Sequence, residues 1–353
     1  MDEIAEVLRR HFRKYPRMQA QDAVKLICQN ELGAGHLAMG QTGSLAQLEQ
    51  ELAAVEQNPY ASLCESIGNG KCRVHLAALG TAGIPAETLQ RVFAASAAAI
   101  QGSKEVCAEK VERLRSLSAR GETPFSFAAL DDFLVAFHAN GCPLISHSQV
   151  YRETYSPAYR VMGERYALFL PLFAAIDARI SKGQTIRLGI DGKCGAGKTT
   201  LAALLATVYD CSIVHMDHFF LPKSLRTPER LTQPGGNVHH ERFEEEAAPG
   251  IRNGGGFQYR RFNCAAGEYA EHIEIAPKPL LIVEGSYSLH PRHASLYDQK
   301  VFLTLSEEAQ KKRIEKRCNG KAYRRFMEEW IPLENRYFEA YSIRQGCDFV
   351  FNT

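Results

Sequence analysis

Residues 163–353 are expected to form an α/β domain, a parallel sheet with helices on both faces, and a mainly α-helical domain is expected to precede it over 1–162. Three observations carry this. Ile186 to Leu205 reads I-R-L-G-I-D-G-K-C-G-A-G-K-T-T-L-A-A-L-L: an apolar run, a glycine-rich turn, then leucines at helical spacing. Downstream, short continuous apolar runs alternate with helical stretches, as in a parallel sheet buried on both faces. Before residue 160 the periodicity is helical almost throughout.

Within that stretch, Gly192 to Thr199 matches G-x-x-x-x-G-K-[ST]. The order strand, glycine-rich turn, helix is the context that makes this motif a phosphate-binding loop (Walker A), so the expected sheet is of the P-loop NTPase type. The glycines let the backbone take positive φ and curl around an anion. Successive N–H groups and the helix N-terminus then point at phosphate oxygens. The expected nucleotide-binding set is Gly192, Gly195, Ala196, Gly197, Lys198, Thr199 and Thr200. Lys198 brings an ammonium to the β- and γ-phosphates, and the Thr199 hydroxyl is placed to ligate Mg²⁺, so ATP and Mg²⁺ are the expected cofactors. Cys194 lies inside the loop, either as an oxidant-sensitive thiol or as a small residue tolerated there.

Bulk properties set the class. The 353 residues suggest two domains, and 45% hydrophobic with 23% charged residues suits a globular protein. A net charge of +2 gives no argument for nucleic acid or an anionic membrane. The opening M-D-E-I-A-E-V-L-R-R is acidic and then helical, unlike a signal peptide. The longest apolar run, Tyr166 to Ile176, is too short to span a bilayer and contains Pro171. Ten scattered cysteines without C-x-x-C spacing read as reduced thiols, so a cytoplasmic protein is expected.

In the first half, helices are expected from Ile4, over Met18 to Ile27, over Ser44 to Val55, after Pro85, over Lys104 to Leu117 and over Phe125 to Ala139. Ile67-Gly68-Asn69-Gly70-Lys71 suits a hairpin turn. Three polar patches stand out: His147 to Arg160; Glu31, Gly33, Gly35 and His36; and Arg73 with His75. They suit either a pocket for an anionic ligand or a polar seam against the next domain.

In the second half, Glu164 to Ser181 reads as a helix leading into the first strand. Further strands are expected at Cys211–Met216, Leu280–Val283, Lys300–Leu305 and Asp348–Phe351. Ligands of parallel sheets bind at the carboxyl ends of strands. The phosphate loop, Asp217 and Glu284 all fall there, so they are expected to converge. Asp217 suits a base that accepts a hydroxyl proton, or a helix cap. Glu284 suits a water-mediated Mg²⁺ contact, or a buried partner for Lys198.

The loop, the strand ending in M-D-H-F-F and the strand ending in I-V-E-G resemble the uridine kinase and phosphoribulokinase branch of P-loop kinases. The resemblance covers about residues 180–353 and leaves the first half unexplained. It implies that Pro234 to Phe243 is an acceptor-binding segment, with His239 and Arg242 as substrate contacts. It implies the same of Tyr259 and Arg261 in the stretch before the E-G strand. It makes Glu307 to Tyr341 a lid, whose Arg313, Arg317 and Arg324 would assist Lys198 and Asp217 in catalysis. His239 stands where members with nucleoside acceptors often carry an aspartate. The expected activity is therefore transfer of the ATP γ-phosphate to a hydroxyl of a nucleoside, sugar or related alcohol. The rival reading is a nucleotide-binding regulatory switch, which would have no need of a base at Asp217. A nucleic-acid 5′-hydroxyl kinase is disfavoured by the balanced charge. Neither a nucleic-acid nor a membrane partner is expected.

Overall fold

The computed structural model describes residues 2–33, 45–141, 143–264, 266–318 and 320–353. Gly35 and His36 lie outside the described residues. The chain divides into two compact units, residues 1–174 and 175–353.

The first unit carries helices Glu3–Lys14, Ala20–Leu32, Leu45–Ala54, Ala86–Ala99, Lys104–Ala119, Phe127–Ala139 and Gln149–Tyr155. The apolar faces of Glu3–Lys14, Ala20–Leu32, Lys104–Ala119 and Phe127–Ala139 build one core; Val7, Leu8, Ala23, Val24, Ile27, Leu114 and Leu117 are buried in it at helical spacing. The unit also holds an antiparallel sheet of β1 (Cys64–Gly68), β2 (Lys71–His75) and β3 (Tyr159–Gly163), in the order β1-β2-β3. The β1–β2 turn has Asn69 at φ 51° and Gly70 at φ 63°, the two positive values that a tight hairpin turn requires. β3 was not foreseen. It pairs with β2 from Lys71↔Gly163 to His75↔Tyr159, and helix Glu164–Leu168 packs on both strands. These contacts move the division from the expected 162/163 to 174/175. The single helix expected over 164–181 is two, Glu164–Leu168 and Leu170–Ile180.

The polar patches of this unit tie its interior together. Asp22 Oδ1 is 2.8 Å from His147 Nδ1, and His147 Nε2 is 2.5 Å from the Tyr159 hydroxyl. Gln29 Nε2 donates to that hydroxyl at 3.1 Å. Gln29 Oε1 accepts from Arg73 Nε and Nη2 at 3.1 and 2.8 Å. Arg73 is 1% exposed, so its guanidinium must be bonded inside the protein, and it is.

In the second unit, β4 (Ile186–Gly192), β5 (Cys211–His215), β6 (Phe257–Asn263), β7 (Glu268–Ile275), β8 (Leu280–Glu284), β9 (Gln299–Thr304) and β10 (Phe349–Asn352) follow in chain order. Five of them form a parallel sheet in the order β10-β9-β4-β8-β5, the five strands expected from the apolar runs. Every residue of β8 is buried, as a central parallel strand demands. Helix Lys198–Ala206 packs on β4, β5 and β8. β6 and β7 form a separate antiparallel hairpin that the sequence did not announce. Register brings the strand ends level: Ile190 and His215 both pair with Glu284, and Gly192 pairs with Leu303. Among the described residues no helix is long and apolar enough to cross a membrane.

Candidate active site at the carboxyl edge of the sheet

The chain leaves central strand β4 at Gly192 and turns at once into the glycine-rich loop. Gly192 has φ 134°, and a Cβ there would lie 2.0 Å from the Leu303 carbonyl oxygen. Only glycine lets the loop pass that close to β9. Gly197, at φ 90°, opens helix Lys198–Ala206. Lys198 Nζ donates to the carbonyls of Gly192 at 2.6 Å and Lys193 at 3.3 Å, so the ammonium lies folded over the loop. Among the described residues Lys198 forms no ion pair with Glu284.

Glu284, 4% exposed at the end of β8, accepts the Thr199 hydroxyl at 3.1 and 3.2 Å through its two oxygens. His215 Nδ1, at the end of β5, lies 2.5 Å from Glu284 Oε1. That bond raises the His215 pKa above its ordinary 6.5, against the lowering effect of burial. Thr199 and Glu284, the two predicted metal contacts, are thus brought together, with His215 bonded to Glu284 beside them.

Asp217 follows β5 in the single turn Met216–Phe219. Asp217 is exposed, and its Oδ1 lies 3.4 Å from where a Cβ on Gly285 would stand, which sets it beside the residue after Glu284. Desolvation raises its carboxyl above the ordinary 3.8; Glu284 and Glu334 add to this, while Lys198 and Arg317 oppose it. The turn has no side-chain cap, so the capping role weighed for Asp217 has no bond behind it.

The predicted acceptor contacts separate into two kinds. Arg242 is 2% exposed; its guanidinium donates to the carbonyls of His218 and Arg260 and stacks 4.3 Å from the centre of the Phe219 ring. It ties β6 to the Asp217 turn from within. Tyr259 is buried, its hydroxyl 3.0 Å from His218 Nδ1, and burial pushes it up to about 12. Arg261 is half exposed and pairs with Glu271 at 2.8 Å. His239 keeps a buried Nδ1 without a partner among the described residues. Of the lid arginines, Arg313 donates to the Gly195 carbonyl at 3.0 Å, Arg317 lies within electrostatic reach of Asp217, and Arg324 is exposed.

Four residues of the site escaped sequence reading. Asp191, fully buried in β4, accepts the N–H groups of Gly192 (2.7 Å), Tyr287 (3.2 Å) and Leu289 (3.1 Å). Tyr337 donates its hydroxyl to Asp191 at 2.8 Å. Burial pushes the Asp191 carboxyl up to about 6, with Lys198 and these bonds opposing. A carboxylate inside an apolar run was the available signal. Glu334 and His215 carried none. Cys194 is buried, and desolvation and Glu334 push its thiol up to about 12, which disfavours the reactive thiolate.

No family model matches the sequence, and no curated protein matches it. Among solved structures, the chain is similar to P-loop kinases over about half its length. One is a possible uridine kinase from Bacillus stearothermophilus, with 18% identity, 51% of this chain and 98% of that chain covered, and a TM-score of 0.39. A second is a provisionally assigned fructose transport system kinase from Silicibacter sp. TM1040, with 20% identity, 50% and 97% covered, and a TM-score of 0.41. A third is shikimate kinase from Bacteroides thetaiotaomicron, with 16% identity, 47% and 85% covered, and a TM-score of 0.24.

Proposed function

We propose that residues 175–353 form an ATP-dependent kinase that transfers the γ-phosphate to an alcohol hydroxyl of a small molecule. The observation that carries the reading is a juxtaposition. Asp217, a solvent-accessible carboxylate after β5, lies beside Gly285 at the end of β8, where the buried Glu284 accepts the Thr199 hydroxyl of the glycine-rich loop. A nucleotide switch needs the loop and the Thr–Glu pair; it has no use for a carboxylate at that place.

The loop amides and Lys198 cradle the triphosphate. Thr199 and Glu284 offer oxygen donors side by side, the set that a hard cation prefers, and they would hold Mg²⁺ together with substrate phosphates. Bound there, Mg²⁺ supplies charge neutralisation for the transferring phosphoryl group. His215 orients Glu284. Asp217 orients the acceptor hydroxyl and takes its proton as the new bond to phosphorus forms. The unpartnered His239 Nδ1 and the exposed Arg261 are the acceptor contacts we propose; Arg242 and Tyr259 shape that wall from behind it. Arg313 and Arg317 approach the transferring phosphate from the lid.

A screen for ADP release over nucleosides, sugars, their phosphates and related alcohols tests the reading. We expect one class to stimulate release, and Asp217→Asn to abolish that stimulation. Stimulation that survives the substitution would contradict the mechanism.

A further inference from the structure

Glu334 lies inside helix Ile331–Ala340 and is 5% exposed. A carboxylate buried this deeply is costly unless its oxygens are bonded. Oε2 accepts the Cys194 N–H at 2.9 Å, and Oε1 accepts the Ser286 hydroxyl at 2.5 Å. Cys194 belongs to the first half of the phosphate loop; Ser286 follows Glu284 in the turn after β8. One helical turn on, Tyr337 donates to Asp191, which in turn holds Gly192, Tyr287 and Leu289. Residues at i and i+3 share a helix face. A single face therefore grips both the start of the loop and the segment after β8. Just upstream, a π-helical turn, Phe326–Trp330, joins this helix to the stretch bearing Arg324. Such turns are frequent where a helix serves a site.

We propose that Glu334 is a positioning residue for phosphoryl transfer: it fixes the Cys194 amide and the Ser286 hydroxyl so that the loop is set before the triphosphate arrives. This rests on the kinase reading above. A loop held in its bound shape spares the ordering cost of binding.

The test is Glu334→Gln in the full chain. Glutamine keeps the volume but has one acceptor oxygen for two donors, and its amide N–H₂ confronts the other. MgATP binding is measured by calorimetry, and kcat and the acceptor KM are measured with an acceptor found in the screen. We expect the ATP Kd to rise about tenfold, the size of one lost charge-assisted bond. The acceptor KM should stay near its wild-type value, because Glu334 bonds the loop and the turn after β8, not the acceptor wall. Ser286→Ala removes one of the two bonds and should weaken ATP binding less. An acceptor KM that rises together with the ATP Kd means a general loosening of the site and overturns the positioning role, as does unchanged ATP binding. If Glu334→Gln is insoluble, Ser286→Ala decides, and wild-type ATP affinity there overturns the role. A wild-type chain that fails to bind MgATP overturns the kinase reading itself, and Glu334 with it; a wild-type chain that binds leaves that reading standing while Glu334 is judged alone.

Discussion

Asp217→Asn separates catalysis from architecture most sharply. Asparagine keeps the shape and the hydrogen-bonding reach of the side chain but cannot take a proton. The structural cost should be small, since the carboxylate is solvent-accessible and caps no helix. A positioned general base accounts for roughly 10²- to 10⁴-fold in rate. At 1.36 kcal/mol per decade this is about 3–5 kcal/mol of barrier. We therefore expect kcat to fall by that factor while the ATP Kd holds. A slight gain in ATP affinity is also consistent, because a negative charge near the triphosphate is gone. The pH profile gives a second readout. Asp217 must be ionised to act, and its carboxyl is raised above 3.8, so wild-type activity falls as pH drops through that raised value. The variant should lose this limb. His215, raised above 6.5 by Glu284, would keep its own titration in both proteins. Stopped assays of ADP release between pH 4 and 9, beside calorimetry with MgATP, provide the data. A kcat within about threefold of wild type would remove Asp217 from the mechanism. Lost ATP binding would place it on the wrong side of the site.

Three further outcomes follow from the geometry. Gly192→Ala should abolish ATP binding, since its Cβ would stand 2.0 Å from the Leu303 carbonyl and force the loop off β9; retained binding by calorimetry would contradict that. Arg242→Ala should cost about 2–4 kcal/mol in denaturant unfolding, as buried carbonyls lose their donors, whereas Arg261→Ala should change stability by less than about 0.5 kcal/mol and raise the acceptor KM. The reverse pattern would exchange their roles. Cys194 should resist alkylation at pH 7.5 in the native protein and label on denaturation, read by mass spectrometry, because burial holds its thiol near 12. Rapid native labelling would mean that the loop opens.

The parallel sheet was legible because its strands are continuous apolar runs, a signal that needs no partner to be read. The glycine-rich turn from strand to helix was legible because its motif fixes both residue type and spacing. β7 was not, since E-Y-A-E-H-I-E-I is exposed along most of its length and only Ile273 and Ile275, at its end, pack on the core. β3 was not, because what makes it a strand is β2, remote in sequence. The resemblance set Arg242 at the acceptor; its actual place depends on Phe219 and on two carbonyls that no linear pattern exposes. Asp191 was visible as an oddity in an apolar run and Glu334 was not visible at all, because an ordinary helical glutamate becomes special only when a loop amide meets it.

The central claim is that the loop after β4 binds a nucleotide for phosphoryl transfer. Lys198→Ala tests it most directly, with MgATP binding and acceptor-stimulated ADP release measured in parallel. Lys198 reaches only loop carbonyls, so the fold should survive, as judged by circular dichroism. Loss of a charge aimed at the transferring group should lower turnover by roughly 10²- to 10³-fold or more, or prevent ATP binding. A folded variant with unchanged ATP affinity and unchanged ADP release would contradict the account.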